Sequence, residues 1–189
     1  MSEHYGPEGD VARHLSLDAL EAKFEALAPA PKDHGKVCLL VSRRADGVRD
    51  TPQRAQLTPE GGMPGDRWHR RTPDAPDTQL TVMQRDVAET IANGQALSLF
   101  GDNLLVDLDL SEDNLPVGSR VRVGGATLEV TPEPHTGCKK FAARVGQDAL
   151  RYISRKELRD RHLRGVYWRV VEAGPVAVGD AIDVLSRGH

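Results

Sequence analysis

Cysteine is scarce in this chain, with two in 189 residues, and aromatic side chains make up 4%. No CxxC pair and no Cys/His quartet is present, which excludes a structural zinc site of the usual kind. In a reducing compartment the two cysteines are expected to stay thiols rather than join as a Cys38–Cys138 disulfide. No apolar stretch approaches the ~20 residues needed to span a bilayer. The N-terminus, MSEHYGPEGDVARH, is polar where a secretory leader would be apolar. These absences predict a cytoplasmic protein with no membrane partner. Few aromatics and a net charge of −3 also argue against nucleic acid, which favours broad basic surfaces or stacking rings. The GK[ST] ending of a phosphate-binding loop, the GxSxG elbow, HExxH and the zinc-deaminase signature are all missing, as are flavin, haem and iron–sulfur motifs.

What is there starts with a contrast between the two cysteines. Cys38, in KVCLLVS, lies in an apolar run and reads as a small buried hydrophobe. Cys138, in PHTGCKK, stands among His135, Thr136, Gly137, Lys139 and Lys140. Nearby cations favour the thiolate, the reactive form of the residue. Such a thiolate could attack a substrate, carry a persulfide or ligate a soft metal. Charge is also unevenly spread. From Lys139 to Arg169 the chain carries +7, and the remainder carries −10. A basic segment directly after the unusual cysteine points to an anionic partner, although Arg151, Arg155, Lys156 and Arg159 also have the spacing of a solvated helix face.

Hydrophobic content of 39% with 28% charge can fill a substantial core in a chain of this length. Residues 1–35 read as an appendage. Leu17, Leu20, Phe24 and Leu27 share one helical face, Ser16 is a candidate N-cap, and Pro29 and Pro31 end the pattern. From residue 36 to 189 short strands dominate. KVCLLVS, QLTVMQ, NLLVDLDL and RVRVGGATLEVT read as strands, the last as two about Gly124-Gly125. RRADGVRDTPQ reads as a polar loop, and RDVAETIA as a helix ending at Asn93-Gly94. GVYWRVVEAGPVAVGDAIDVL gives two more strands, with turns at residues 173–175 and 178–180. FAARVGQDALRYISRKELRDRH is helical in texture. This texture predicts a mainly β fold, a barrel or sandwich. The glycines of TPEGGMPGDRW predict a tight loop, and Gly101-Asp102-Asn103 a turn closed by a local Asx hydrogen bond.

Taken in order, GGMPGDRW, LFGDNL, LPVGSRVRVGGATLEVT, PHTGCKKF and LRGVYWRVVEAGPVAVGDAIDV resemble the MOSC domain family, named from the C-terminal domain of molybdenum cofactor sulfurase; the resemblance runs from Lys36 to Leu185. It implies a closed or nearly closed barrel with peripheral helices, and a site for the molybdenum cofactor, a molybdopterin. It implies Cys138 as the family's cysteine, which ligates molybdenum in some members and is proposed to carry a persulfide in others. Thr136 and Gly137 would lie on a loop beside the metal; Lys139 and Lys140 replace the more apolar residues often found after the cysteine, and with His135 they are candidates for cofactor binding. Gly65, Asp66 and Arg67 match the family's Gly-Asp element. Asn103 matches its Gly-Glu-Asn element, with Asp102 where Glu is usual. Arg164 and Arg169 become candidates for phosphate or pterin contacts. The activity implied is reduction of N-hydroxylated or N-oxide small molecules, with electrons from an external donor protein. The alternatives are persulfide delivery, independent of pyridoxal phosphate in this chain and fed by a sulfur donor protein, or cofactor binding without catalysis.

Overall fold

A computed structural model describes residues 7–71 and 74–188, with the side chains of residues 70 and 71 not described. The first six residues of the polar N-terminus lie outside that description. Among the described residues eleven strands are formed: β1 (His34–Leu40), β2 (Ser42–Arg43), β3 (Arg49–Asp50), β4 (Arg54–Leu57), β5 (Leu80–Gln84), β6 (Leu104–Asp107), β7 (Arg120–Val123), β8 (Ala126–Val130), β9 (Val166–Glu172), β10 (Gly174–Ala177) and β11 (Ala181–Ser186). Seven of them close into a barrel in the order β1-β11-β7-β8-β9-β5-β6. All neighbours are antiparallel except β5 and β6, which run parallel with Val82 beside Leu104. A one-turn helix, α2 (Trp68–Arg71), lies ahead of β5; the parallel pair needs a crossover, and α3 (Arg85–Ala92) supplies it. Asn93 (φ 48°) and Gly94 (φ 87°) end that helix in left-handed conformation, as the Asn-Gly pair predicts.

Alternation decides which side chains fill the barrel. On β9, Val166, Trp168 and Val170 are buried while Tyr167 and Arg169 between them are only half-buried, so the latter two project outward. Trp168 packs inside with Leu80, Leu104, Val106 and Leu128. A second apolar cluster lies between the barrel wall and the helices. It joins Leu20 and Phe24 of α1 (Leu17–Glu25) to α3, α4 (Lys139–Val145) and α5 (Gln147–Ile153), and Phe24 stacks on Tyr152 at 4.8 Å. Ser16 caps α1 by accepting from the Ala19 amide. Among the described residues, no helix is long and apolar enough to cross a membrane.

Four local expectations change. RRADGVRD is not a loop: β2 and β3 pair as a short hairpin, and β4 follows. Gly174 and Pro175 do not form a turn but belong to β10, which pairs with β4 outside the barrel. Arg151 to Arg159 do not form one helix face, because α5 ends at Ile153 and a 3₁₀ turn replaces it from Lys156. Cys38 is only half-buried. The β1–β6 register shifts between Val37 and Leu39, which turns the intervening thiol away from the core. Burial still pushes that thiol up from its ordinary value.

Candidate functional site

The site is built where β2, the start of β6 and the 58–68 loop converge. Gly62 (φ 59°) and Gly65 (φ 74°) let that loop reverse direction and bring Asp66 under β2. Asp66 is 4% exposed. It accepts from Arg43 three times, through the backbone N (2.8 Å), Nε (2.9 Å) and Nη2 (2.8 Å), and from the Trp68 amide (2.9 Å) and Asn103 Nδ2 (2.9 Å). Burial pushes its carboxyl up, but the Arg43 guanidinium and the two amides outweigh burial and hold it below the ordinary range.

Asn103 is fully buried and fully satisfied. Its Oδ1 accepts from Arg43 Nη2 (3.1 Å), Thr81 N (3.0 Å) and Thr81 Oγ1 (3.1 Å), while Nδ2 donates to Val41 O (3.0 Å) and Asp66. The side chain therefore knits β5, β6 and the end of β1 together rather than reaching outward. The local Asx turn expected at Asp102-Asn103 is not what either side chain does. Asp102, also fully buried, accepts from Arg164 Nη1 through both oxygens (3.0 and 2.8 Å).

Around these two carboxylates five guanidiniums gather: Arg43, Arg49, Arg67, Arg144 and Arg164. Arg43 and Arg49 sit directly opposite each other in the β2–β3 register, a placement that like charges normally avoid. Gly101 lets Arg49 approach, since a Cβ there would lie 2.9 Å from Arg49 Nε. Nε and Nη1 of Arg49 are sealed from solvent with no hydrogen-bond partner. Burial, then Arg144, Arg67 and Arg43, push Arg49 down from 12.5 to about 10. Arg144, 8% exposed, donates to the Phe100 carbonyl (3.1 Å). Burial and Arg164 push it down as well, and an ionised Cys138 would offset that push. The cluster thus holds more buried positive than negative charge, with two Arg49 donors unpaired, a donor set that an anion would complement.

The expected residues fall into three groups. Asp66, Arg67, Asn103 and Arg164 come together in or under the cluster, with Gly65 at the turn that positions Asp66. His135, Thr136 and Gly137 line an adjoining cavity of about 620 Å³, which Arg164 also lines. Gly137 presses onto α5, where a Cβ would meet Leu150 at 2.4 Å. Cys138 is exposed and stands at the N-cap position of α4 without a side-chain capping bond, with Lys139 and Lys140 as the first helical residues. Arg169 does not join them. It projects from β9 to Asp77 (3.2 Å) and Glu129, two carboxylates away from the cavity lining. The residues not anticipated from the sequence are Arg43, Arg49, Thr81, Arg144 and Tyr167, whose ring lies 4.6 Å from that of His135.

A family model of the MOSC domain matches residues 70–183. The uncharacterized protein YflK of Bacillus subtilis is 33% identical over 90 residues, which cover 48% of this chain and 38% of that protein. The chain thus spans well under half the length of that relative. Among solved structures, the YuaD protein of Bacillus subtilis is similar with a TM-score of 0.60 at 20% identity, covering 82% of this chain and 97% of that one. YiiM from Escherichia coli gives 0.55 at 22% identity, over 81% and 71%. At these identities the solved structures speak for the fold, a barrel of this kind. The family match, which spans more than half of the chain, goes further: the chain belongs to the MOSC domain family.

Proposed function

We propose that this protein binds a molybdenum cofactor, with Cys138 as the protein's ligand to the metal and the arginine cluster holding the cofactor's phosphate. The observation that carries the reading is Arg49, whose Nε and Nη1 donors are buried without acceptors in a group of five guanidiniums. A phosphate dianion suits that donor set by charge and by its capacity to accept several N–H bonds. Among the described residues no trio of His, Cys, Asp or Glu could hold a metal ion. A metal bound through Cys138 would therefore depend on a cofactor for its remaining ligands. Asp66 and Asn103 position Arg43, Asp102 positions Arg164, and the loop of Thr136 and Gly137 carries Cys138 to the site. Lys139 and Lys140 add positive charge beside it. Arg169, paired with Asp77 and Glu129, is a weaker candidate for the pterin.

The cofactor, when bound, supplies two-electron redox chemistry. The activity that follows is reduction of N-hydroxylated or N-oxide small molecules in the cytoplasm, with electrons from a separate donor protein. Exposure of Cys138 favours a second reading, in which its thiolate attacks the outer sulfur of a donor protein's persulfide, releasing the donor as a thiol, and passes that sulfur on as a Cys138 persulfide. Metal analysis separates the two. Protein expressed where molybdenum cofactor is plentiful should carry near-stoichiometric molybdenum, and Cys138→Ala should carry little. Absence of molybdenum from both would overturn the reading, and a mass gain of one sulfur on Cys138 would install the second.

A further inference from the structure

The cavity beside the cluster has its own chemistry. Val130, Pro132, Ile153, Leu163 and Val166 give it apolar walls. Its charged lining is balanced, with Arg155, Arg159 and Arg164 against Glu112, Glu133 and Asp160. Two of those cations are already engaged, Arg155 by Glu21 and Arg164 by Asp102. Because Glu21 and Asp102 lie outside the lining, Arg159 is left facing three carboxylates, a balance that disfavours anions. Its volume, about 620 Å³, suits a small molecule.

One polar side chain in the lining stands out. His135 has 8% of its side chain exposed, and its ring lies against Tyr167. Its Nδ1 is sealed with no hydrogen-bond partner, 3.8 Å from Asp102 Oδ1. A lone pair aimed at a carboxylate is repelled, whereas an N–H aimed at it is attracted. The proton of the neutral ring therefore belongs on Nδ1, which leaves Nε2 as an acceptor. Burial, then Arg164 and Arg43, keep the ring neutral by pushing it well below its ordinary value. With Nδ1 sealed, Nε2 is the nitrogen with access to the cavity that His135 lines.

We infer that this cavity is a binding site for a small molecule without negative charge, with an apolar body and an O–H or N–H donor, and that His135 Nε2 accepts the hydrogen bond from that donor. Asp102 acts behind it, fixing the tautomer while it holds Arg164 at the boundary with the arginine cluster. Applied to the activity proposed above, the site favours N-hydroxylated compounds, which carry an O–H, over N-oxides, which need not carry a donor. That application rests on the reductase reading; the binding site does not.

The test uses three probes of one shape on the full-length chain: benzaldehyde oxime, its O-methyl ether and benzoate, with affinities measured by ligand-observed NMR. The oxime should bind about tenfold tighter than the ether, because the ether leaves a buried acceptor unpaired, and benzoate should bind no better than the ether. In His135→Phe, which keeps a ring beside Tyr167, oxime and ether should bind alike. Equal binding of oxime and ether to the wild type overturns the inference, as does preference for benzoate or no binding of any probe at millimolar concentration. Should the variant not fold, the wild-type comparison decides alone. Measured on protein free of molybdenum, discrimination stands or falls apart from the cofactor reading, which the metal analysis tests separately.

Discussion

Replacing Arg49 by methionine should stabilise the ligand-free protein and, in the same step, abolish its response to phosphate. Arg49 is held down to about 10 from 12.5 by burial and by three neighbouring guanidiniums. At ~1.4 kcal/mol per pH unit that displacement corresponds to about 3 kcal/mol, and solvent screening of a side chain only partly buried reduces it to about 1–2 kcal/mol. A cation whose folded value is lowered destabilises the fold while it stays charged, so the whole cost is present at pH 7 and fades only as pH rises through about 10. Methionine retains an unbranched apolar stem beside Gly101 and carries no charge. Thermal melts in chloride should show the variant about 2–8 °C higher than the wild type. Phosphate at about a hundred times its Kd should then add about 2.7 kcal/mol to the wild type and little to the variant. A variant that melts below the wild type in chloride would refute the reasoning, as would an equal phosphate shift in both proteins.

Other outcomes follow from the same geometry. Asp66→Ala strands Arg43, 12% exposed on its side chain, and should cost about 3–5 kcal/mol in urea unfolding. Because the Asp66 carboxyl is held below its ordinary value of 3.8, its contribution is present above that pH and lost as pH falls through the lower folded value. Asp66→Asn should accordingly flatten the acid limb of the stability profile, and an unchanged limb would place the acid sensitivity elsewhere. Gly9→Ala would set a Cβ 1.7 Å from the Arg144 carbonyl oxygen, so the 9–14 segment must lift. Hydrogen exchange should speed at the Asp10 amide, bonded to Gln95 Oε1 (2.7 Å), while the barrel strands keep their protection.

The barrel was legible where one face of a strand repeats apolar residues, as in Arg120–Val123 and Val166–Val170, and where Asn93-Gly94 stops a helix. The arginine cluster was not. Arg43 and Arg49 sit in a run so polar that it reads as solvent-exposed loop. The available signal was their spacing about Asp46-Gly47, which sets two arginines opposite each other across a two-stranded hairpin. Asp102 and Asn103 looked like local turn residues because their partners are far along the chain: Arg164 is 62 positions away and Asp66 is 37. Arg169 shared the Arg164 motif, yet strand alternation sends it outward to Glu129 and Asp77. Cys138 could be singled out by its neighbours, whereas the guanidinium it lies near, Arg144, had no local mark.

The pairing of β1 with β11 also sets a schedule. His34 meets Asp183 and Lys36 meets Ala181, so one wall of the barrel joins segments about 150 residues apart in sequence. During synthesis β1 has no partner on that side until the last strand of the barrel has emerged, and the other neighbour of β11, β7, waits with it. Closure of so long a loop is slow, and until it happens both strands present unpaired edges. A chain cut before residue 181 would keep those edges for good, making truncation at this end a route to aggregation rather than to a smaller barrel.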